Sequence, residues 1–180
     1  MLQSRRDSWE DPRRAIHGAI NRLDPQTLKP LARKLFESNL LRGRGLLSKS
    51  LLRAAVASPT RAATYASLAA VINAKLPEIG ELCVQRAVSG FRKFYKRRDG
   101  ASVGACVGVL AHFFNQGMVH ELLVLQLLTV LLDGDPNNNG VGMAIRVTKI
   151  AERCLEEASP RGVDVVMERT RGLLHEGGVG

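Results

Sequence analysis

The fold class is decided by residues 58–95, which read SPTRAATYASLAAVINAKLPEIGELCVQRAVSGFRKFY. Apolar residues recur here at intervals typical of one side of an α-helix, first at Tyr65, Leu68, Ala69 and Ile72 and then at Leu82, Val88, Phe91, Phe94 and Tyr95. Ser58-Pro59 and Leu76-Pro77 interrupt the pattern, because a proline is tolerated only in the first turn of a helix. The stretch therefore predicts two consecutive α-helices.

The same punctuation recurs along the whole chain. Asp24-Pro25 and Ser159-Pro160, like Ser58-Pro59, combine a capping oxygen with a proline at the first helical position. With the other breaks they predict two series of helix starts, one near residues 9, 42, 77, 118 and 160 and one near residues 25, 59, 101 and 137. A period of about 33 to 42 residues with two helices per unit is typical of HEAT-type repeats. The sequence therefore predicts an all-α fold, an α-solenoid of HEAT-type helix pairs with about nine helices and an incomplete last repeat.

The last predicted helix, which follows Ser159-Pro160, has apolar side chains that a second helix of its pair would cover. They are Val163, Val166, Met167, Leu173 and Leu174. In the given sequence we expect this flank to be exposed. In the native protein we expect a continuation of the chain or another molecule to cover it.

The charge is distributed unevenly. The 180 residues include 26 Lys and Arg against 17 Asp and Glu, a formal net charge of +9. Residues 1–100 hold 20 basic and 8 acidic side chains, whereas residues 101–180 hold 6 and 9. A basic first half favours an acidic partner or nucleic acid. No membrane span is predicted, because the most apolar stretch, Leu122–Leu132, is too short and fits a buried helix.

No motif in the sequence predicts an enzyme, a metal site or a cofactor. The cysteines, Cys83, Cys106 and Cys154, are far apart and are predicted to be reduced and mostly buried. The four histidines form no cluster. Residues Gly43–Ser50 resemble a phosphate-binding loop, but Ser48 stands where the second glycine belongs and no strand precedes it. We predict a turn between two helices there, with glycines that ease close packing.

The run Phe91–Arg98 interleaves aromatic and basic residues, which is typical of surfaces that stack bases and neutralise phosphates. The alternative is that its rings face the core while its cations complement the negative C-terminal end of a helix. Candidate contacts to RNA or to an acidic partner are Arg42, Arg44, Arg92, Lys93, Lys96, Arg97 and Arg98.

A family resemblance extends over nearly the whole chain. It is carried by blocks in one order: Ser8-Trp9-Glu10, Ile16–Arg22, Arg42–Ser50, Ala57-Ser58-Pro59, Val71–Leu82, Phe91-Arg92-Lys93, Lys96–Asp99, Ala111-His112-Phe113, Asn115-Gln116, Val119-His120-Glu121, Ser159–Gly162 and Leu174-His175-Glu176. Together they resemble the middle domain of translation initiation factor 4G in the form found in nucampholin-type pre-mRNA splicing factors. The resemblance implies a non-catalytic HEAT solenoid over residues 8–176, between a flexible N-terminus (1–7) and a flexible C-terminus (177–180).

The resemblance also implies a nuclear location and partners. Domains of this kind bind the DEAD-box helicase of the exon junction complex, hold its two lobes apart in an inactive state, and deliver it to spliceosome proteins. The contact motif of the family is a glycine followed three and four residues later by Asn-Lys, and it corresponds to Gly18, Asn21 and Arg22. Arginine in place of lysine keeps the charge but replaces a point donor with a planar fork.

The helical phase of the first helix agrees with this assignment. Ile16, Ile20 and Leu23 form one narrow apolar stripe, while Gly18, Asn21 and Arg22 lie on the opposite side with Arg14 beside them. A glycine in mid-helix costs about 0.5–1 kcal/mol relative to alanine, which suggests close approach by a partner. Two alternatives stay open: a solenoid that binds RNA directly, and a translation-initiation domain that binds the cytoplasmic helicase.

Overall fold

A computed structural model describes residues 13–133 and 139–176, apart from the side chains of Leu174 and Glu176. These residues form nine α-helices, one short 3-10 helix and no strand. The helices are α1 (residues 13–21), α2 (Leu28–Glu37), α3 (Leu40–Ala57), α4 (Ala62–Asn73), α5 (Pro77–Lys96), α6 (Gly100–Asn115), α7 (Glu121–Leu132), α8 (Gly140–Ala158) and α9 (Pro160–Glu176).

The predicted all-α class is confirmed. The starts of α2 to α9 lie within three residues of the predicted ones. The predicted start near residue 9 and the two predicted flexible termini lie outside the described residues.

Two of the three predicted proline-led starts need correction. Asp24-Pro25 belongs to a turn that precedes α2, in which the Asp24 carboxylate accepts the Gln26 N–H at 3.2 Å. The Thr27 hydroxyl completes this turn by accepting the Asp24 N–H at 2.9 Å. Ser58-Pro59 leads into the 3-10 helix Pro59–Arg61 before α4 begins. In both places a side-chain or 3-10 hydrogen bond satisfies the backbone before the α-helix starts.

The predicted turn at Gly43–Ser50 is wrong, because these residues lie inside α3. The break falls earlier, at Ser38-Asn39, where the Asn39 side chain caps α3 by accepting the Arg42 N–H at 3.2 Å. Gly45 and Ser48 instead lie on the side of α3 that meets α5. There the Arg86 guanidinium donates to the Gly45 carbonyl and, at 2.7 Å, to the Ser48 hydroxyl.

The chain divides into two compact units, with the boundary between Ala87 and Val88 inside α5. In the first unit, α3 and α5 run in the same direction, since Arg44 contacts Glu78 near both helix starts and Ser48 contacts Arg86 further along both. Its deepest side chains include Ile16, Leu23, Leu35, Leu47, Leu51, Leu68, Ile72 and Ile79.

Side-chain contacts in the second unit also join alternate helices. Arg169 of α9 contacts Asp133, which directly follows α7, at 3.4 Å. The Asn115 amide of α6 donates to the Ile150 carbonyl of α8 at 2.6 Å. Within the two units, side-chain hydrogen bonds that join alternate described helices link residues 34 to 41 positions apart. This separation matches the predicted repeat length and is compatible with the predicted solenoid.

The predicted flank of α9 is partly wrong. Val166 is buried, at 7% exposure, because it packs toward the neighbouring helices rather than outward. Met167 is exposed as predicted, and Val165 is more exposed, at 67%. The Leu174 side chain lies outside the described residues.

The apolar stretch Leu122–Leu132 is part of α7, with Leu127, Leu128 and Leu131 buried and Leu122 exposed. Among the described helices, none has both the length and the apolar character needed to cross a membrane.

Candidate partner-binding site

The first helix has the two faces that its sequence predicts. Ile16, Ile20 and the following Leu23 are at most 4% exposed and form its buried stripe. Arg14, Asn21 and Arg22 are exposed, and Gly18 is half-buried. The predicted contact residues are therefore on the accessible side of α1.

Gly18 has a structural partner in the residue that directly follows its own helix. The Arg22 Nε donates to the Gly18 carbonyl oxygen at 3.1 Å. A Cβ on Gly18 would stand only 3.0 Å from the Arg22 Nη2. The guanidinium thus folds back across the glycine, and a larger residue at position 18 would push it away. A lysine has no Nε–H of this kind, so the arginine adopts a pose that the family lysine cannot reproduce.

The turn after α1 restrains the same region. The Thr27 hydroxyl donates to the Arg22 carbonyl at 2.9 Å while accepting the Asp24 N–H. This pair of bonds connects the end of α1 to the start of α2 through one side chain. The Arg22 carbonyl is therefore fixed by the turn that follows it, while the Arg22 side chain is bonded to the preceding turn of the helix.

A cavity of about 310 Å³ lies between α1 and α2. Its described lining is Arg14, Ala15, Ala19, Arg22, Leu31, Lys34 and Leu35, with no acidic residue among them. Three cationic side chains from two helices therefore surround a largely apolar cavity. Lys34 was missed by the sequence reasoning. The sequence feature that could have indicated Lys34 is its position next to Leu35, which is buried. This position places Lys34 at the edge of the α2 face that packs against the first helix.

The basic end of α5 is built differently. Arg92, Lys93, Lys96, Arg97 and Arg98 are all exposed. Phe91, by contrast, is only 6% exposed, and its ring centroid lies 5.5 Å from that of Tyr95. The Tyr95 hydroxyl donates to the Val130 carbonyl at 3.2 Å. This pair of rings belongs to the packing of the second unit, which favours the core alternative for them and leaves the cations as the exposed feature.

The turn that follows α5 fixes the last of these cations. Arg98 has a left-handed backbone with φ of 56°, and the Asp99 N–H bonds the Phe94 carbonyl at 3.1 Å. This is the pattern of a helix C-terminus closed by a left-handed residue. Asp99 then caps α6 by accepting the Ser102 N–H at 3.1 Å. Hydrogen bonds from the side chain and the backbone of Ser102 lower the pKa of the Asp99 carboxyl.

The remaining predicted cations lie on α3. Arg44 forms an ion pair with Glu78 at 3.5 Å, with both side chains exposed. Arg42 is exposed in the first turn of the same helix. The structure thus brings Arg14 and Arg22 together at one cavity, while Arg44 has an acidic partner of its own.

The side chains that bear reactive chemistry are mostly enclosed. Burial raises the pKa of the Cys83 thiol to about 12 and that of Cys106 to about 11, so both are protonated at neutral pH. Burial, together with nearby Arg146, lowers the pKa of His112. In the described part of the chain, no group of three or more His, Cys, Asp or Glu side chains is arranged to hold a metal ion.

Comparison with known proteins gives a consistent set of relatives. The human pre-mRNA-splicing factor CWC22 homolog is 41% identical over 175 residues, which is 97% of this chain and 19% of that protein. The chain is similar to CWC22 splicing factors. The CWC22 homolog of Drosophila melanogaster is 38% identical over 96% of this chain and 13% of its own length. The CWC22 of Pyricularia oryzae is 39% identical over 95% of this chain and 19% of its own length.

The chain therefore spans between 13% and 19% of the length of these CWC22 relatives. They support the splicing-factor part of the resemblance seen in the sequence. No protein-family model matches the chain, so its assignment to a middle domain of initiation factor 4G type stays a prediction.

Proposed function

We propose that this chain is a non-catalytic segment of a nuclear pre-mRNA splicing factor. The observation that carries the proposal is its similarity to CWC22 splicing factors at 38–41% identity over 95–97% of the chain. Relatives that match along almost the whole chain are expected to share its fold and the surfaces that it presents.

The partner that we propose is the DEAD-box helicase of the exon junction complex. The chain would hold the two lobes of that helicase apart and deliver it to spliceosome proteins. Two observations support a docking surface on α1: Asn21 and Arg22 are exposed, and the Arg22 guanidinium is held against the Gly18 carbonyl. A cation held in one position loses less side-chain entropy on binding than a free one.

The test is capture of the helicase from nuclear extract, with circular dichroism to verify folding. Gly18→Tyr, and separately Asn21→Asp with Arg22→Glu, should abolish capture without changing the helical spectrum. Gly172→Tyr is the matched control, because a Cβ on that glycine of α9 meets no atom of the described residues within 4 Å. Capture by the double variant at the wild-type level would overturn the site, and failure of the wild type to capture the helicase would overturn the proposed function.

RNA binding is the second candidate, favoured by the exposed cations at the end of α5. It predicts an affinity for RNA that falls linearly with salt on logarithmic axes. Purified protein that binds no RNA even at low salt would exclude it.

The translation-initiation alternative is tested by repeating the helicase capture in cytoplasmic extract. Identification of the captured peptides separates the splicing helicase from the translation helicase.

A further inference from the structure

The cavity between α1 and α2 has a chemistry that the contact motif on α1 does not contain. Arg14 and Arg22 reach it from α1, and Lys34 reaches it from α2. Ala15, Ala19, Leu31 and Leu35 supply the apolar part of its lining. Cations that border an apolar surface are suited to a ligand with a negative head and a hydrocarbon stem.

The pose of Arg22 makes it a suitable ligand for a carboxylate. Its Nε is engaged with the Gly18 carbonyl, so the two terminal nitrogens remain to form the planar fork that matches a carboxylate. Lys34 adds an ammonium group from the neighbouring helix. A glutamate side chain would place its carboxylate among these cations and its methylene groups against the leucines and alanines. A phosphodiester has no such stem and would leave the apolar lining uncovered.

We propose that this cavity receives a glutamate side chain of the protein partner, and that Lys34 is a partner-binding residue on a second helix. This inference rests on the proposed function for the identity of the partner, but the chemistry of the cavity is independent of it. It extends the docking surface from the exposed face of α1 to the groove beside α2.

The first arm of the test measures binding of the purified helicase to the whole chain by calorimetry. Lys34→Glu should weaken binding more than about tenfold, because it places a like charge opposite the carboxylate. Arg33→Glu is the matched control, since Arg33 is an exposed cation next along α2 and is not among the described residues that line the cavity. Equal weakening by both variants would mean a general charge effect and overturn the proposal, as would wild-type binding by Lys34→Glu.

The second arm does not need the helicase. Hexaglutamate peptide and a uridine heptanucleotide are titrated separately, at low salt, into isotope-labelled protein. The peptide should shift the amide signals of Ala15, Ala19 and Leu35 in the wild type and in Arg33→Glu, but not in Lys34→Glu. If the oligonucleotide shifts these signals and the peptide does not, the cavity binds RNA and the proposal fails. If the wild type binds peptide here but no helicase, the proposed function fails while the cavity assignment stands.

Discussion

The first helix and the end of α5 both present several cations, but they position them in different ways. On α1 the Arg22 guanidinium is bonded to the Gly18 carbonyl and borders a cavity that Arg14 and Lys34 also line. At the end of α5, five cations are exposed around a helix terminus, while Phe91 and Tyr95 are turned into the packing of the second unit.

This difference shows that the density of positive charge does not by itself define a binding site. Exposed lysines and arginines lose side-chain entropy when a partner orders them, and salt screens their attraction. A cation held against the backbone has already lost part of that freedom. We therefore expect the α1 region to bind a specific protein, and the α5 region to contribute attraction that depends on salt.

The largest expected effect is on helicase affinity, when the same change in net charge is made either on α1 or at the end of α5. Asn21→Asp with Arg22→Glu lowers the net charge by as much as Arg92→Glu with Lys93→Gln. The α1 pair should cost about 3 kcal/mol of helicase binding, roughly 100-fold in affinity. The α5 pair should change that affinity less than about threefold. Calorimetry at one salt concentration measures both, and equal losses would contradict the contrast between the regions.

Next in size is Gly18→Ala, which should move binding and stability in opposite directions. The new Cβ stands 3.0 Å from the Arg22 Nη2 and displaces the guanidinium, so helicase affinity should fall about fivefold, or 1 kcal/mol. The free energy of unfolding should rise by about 0.5–1 kcal/mol, because alanine favours the helix.

Gly172→Ala on α9 is the control for the effect of helix propensity. It should raise the free energy of unfolding without weakening helicase binding. In an Arg22→Lys background the binding loss caused by Gly18→Ala should disappear, since lysine has no Nε–H to be displaced. A loss of the same size in both backgrounds would mean that the partner itself approaches the glycine.

A smaller effect tests whether the α5 aromatic residues serve the fold. Tyr95→Phe removes the hydrogen bond to the Val130 carbonyl and should lower the free energy of unfolding by about 0.5 kcal/mol. RNA affinity, measured by fluorescence anisotropy, should not change. Chemical denaturation provides the stability value; a weaker RNA complex with unchanged stability would instead place the Tyr95 hydroxyl in an RNA contact.

The smallest effect is a pH dependence at the turn that follows the α5 cations. Hydrogen bonds from Ser102 hold the pKa of Asp99 below its ordinary value of 3.8. Asp99 therefore stabilises the fold above that value, and its contribution is lost as the pH falls through the lowered pKa. Asp99→Asn keeps a capping oxygen but does not titrate. Thermal unfolding of the two proteins should converge in acid, and parallel profiles would contradict the assignment.

Much of the fold was predictable because helix punctuation is local chemistry. Pro160 begins α9 as expected, and every predicted start from α2 onward falls within three residues of the observed one. The error at Gly43–Ser50 arose where tertiary contacts override local preference. Gly43 and Gly45 suggested a turn, but they lie within α3, where contact with α5 and the Arg86 hydrogen bonds stabilise the helix.

The candidate site was predictable in part for the same reason. The exposed position of Asn21 and Arg22 follows from helical phase. Ile16, Ile20 and Leu23 lie on the buried side, so residues on the opposite side face solvent. The position of Lys34 at the cavity was not predictable, because the spacing of residues within α2 does not indicate which residue of α1 it contacts. The bond between Arg22 and Gly18 was also missed, because the glycine was interpreted as space for a partner.

By itself the sequence determined that the chain is helical, where its helices begin, how long its repeat is, and which side of each helix is apolar. These properties depend on neighbours within one or two turns. Only the tertiary structure decided that Arg86 bonds Gly45 and Ser48 of α3, that Phe91 is buried, and that cations from the first two helices share one cavity. Such pairings depend on the packing distance and rotation of two helices, which are set by side chains distant in sequence.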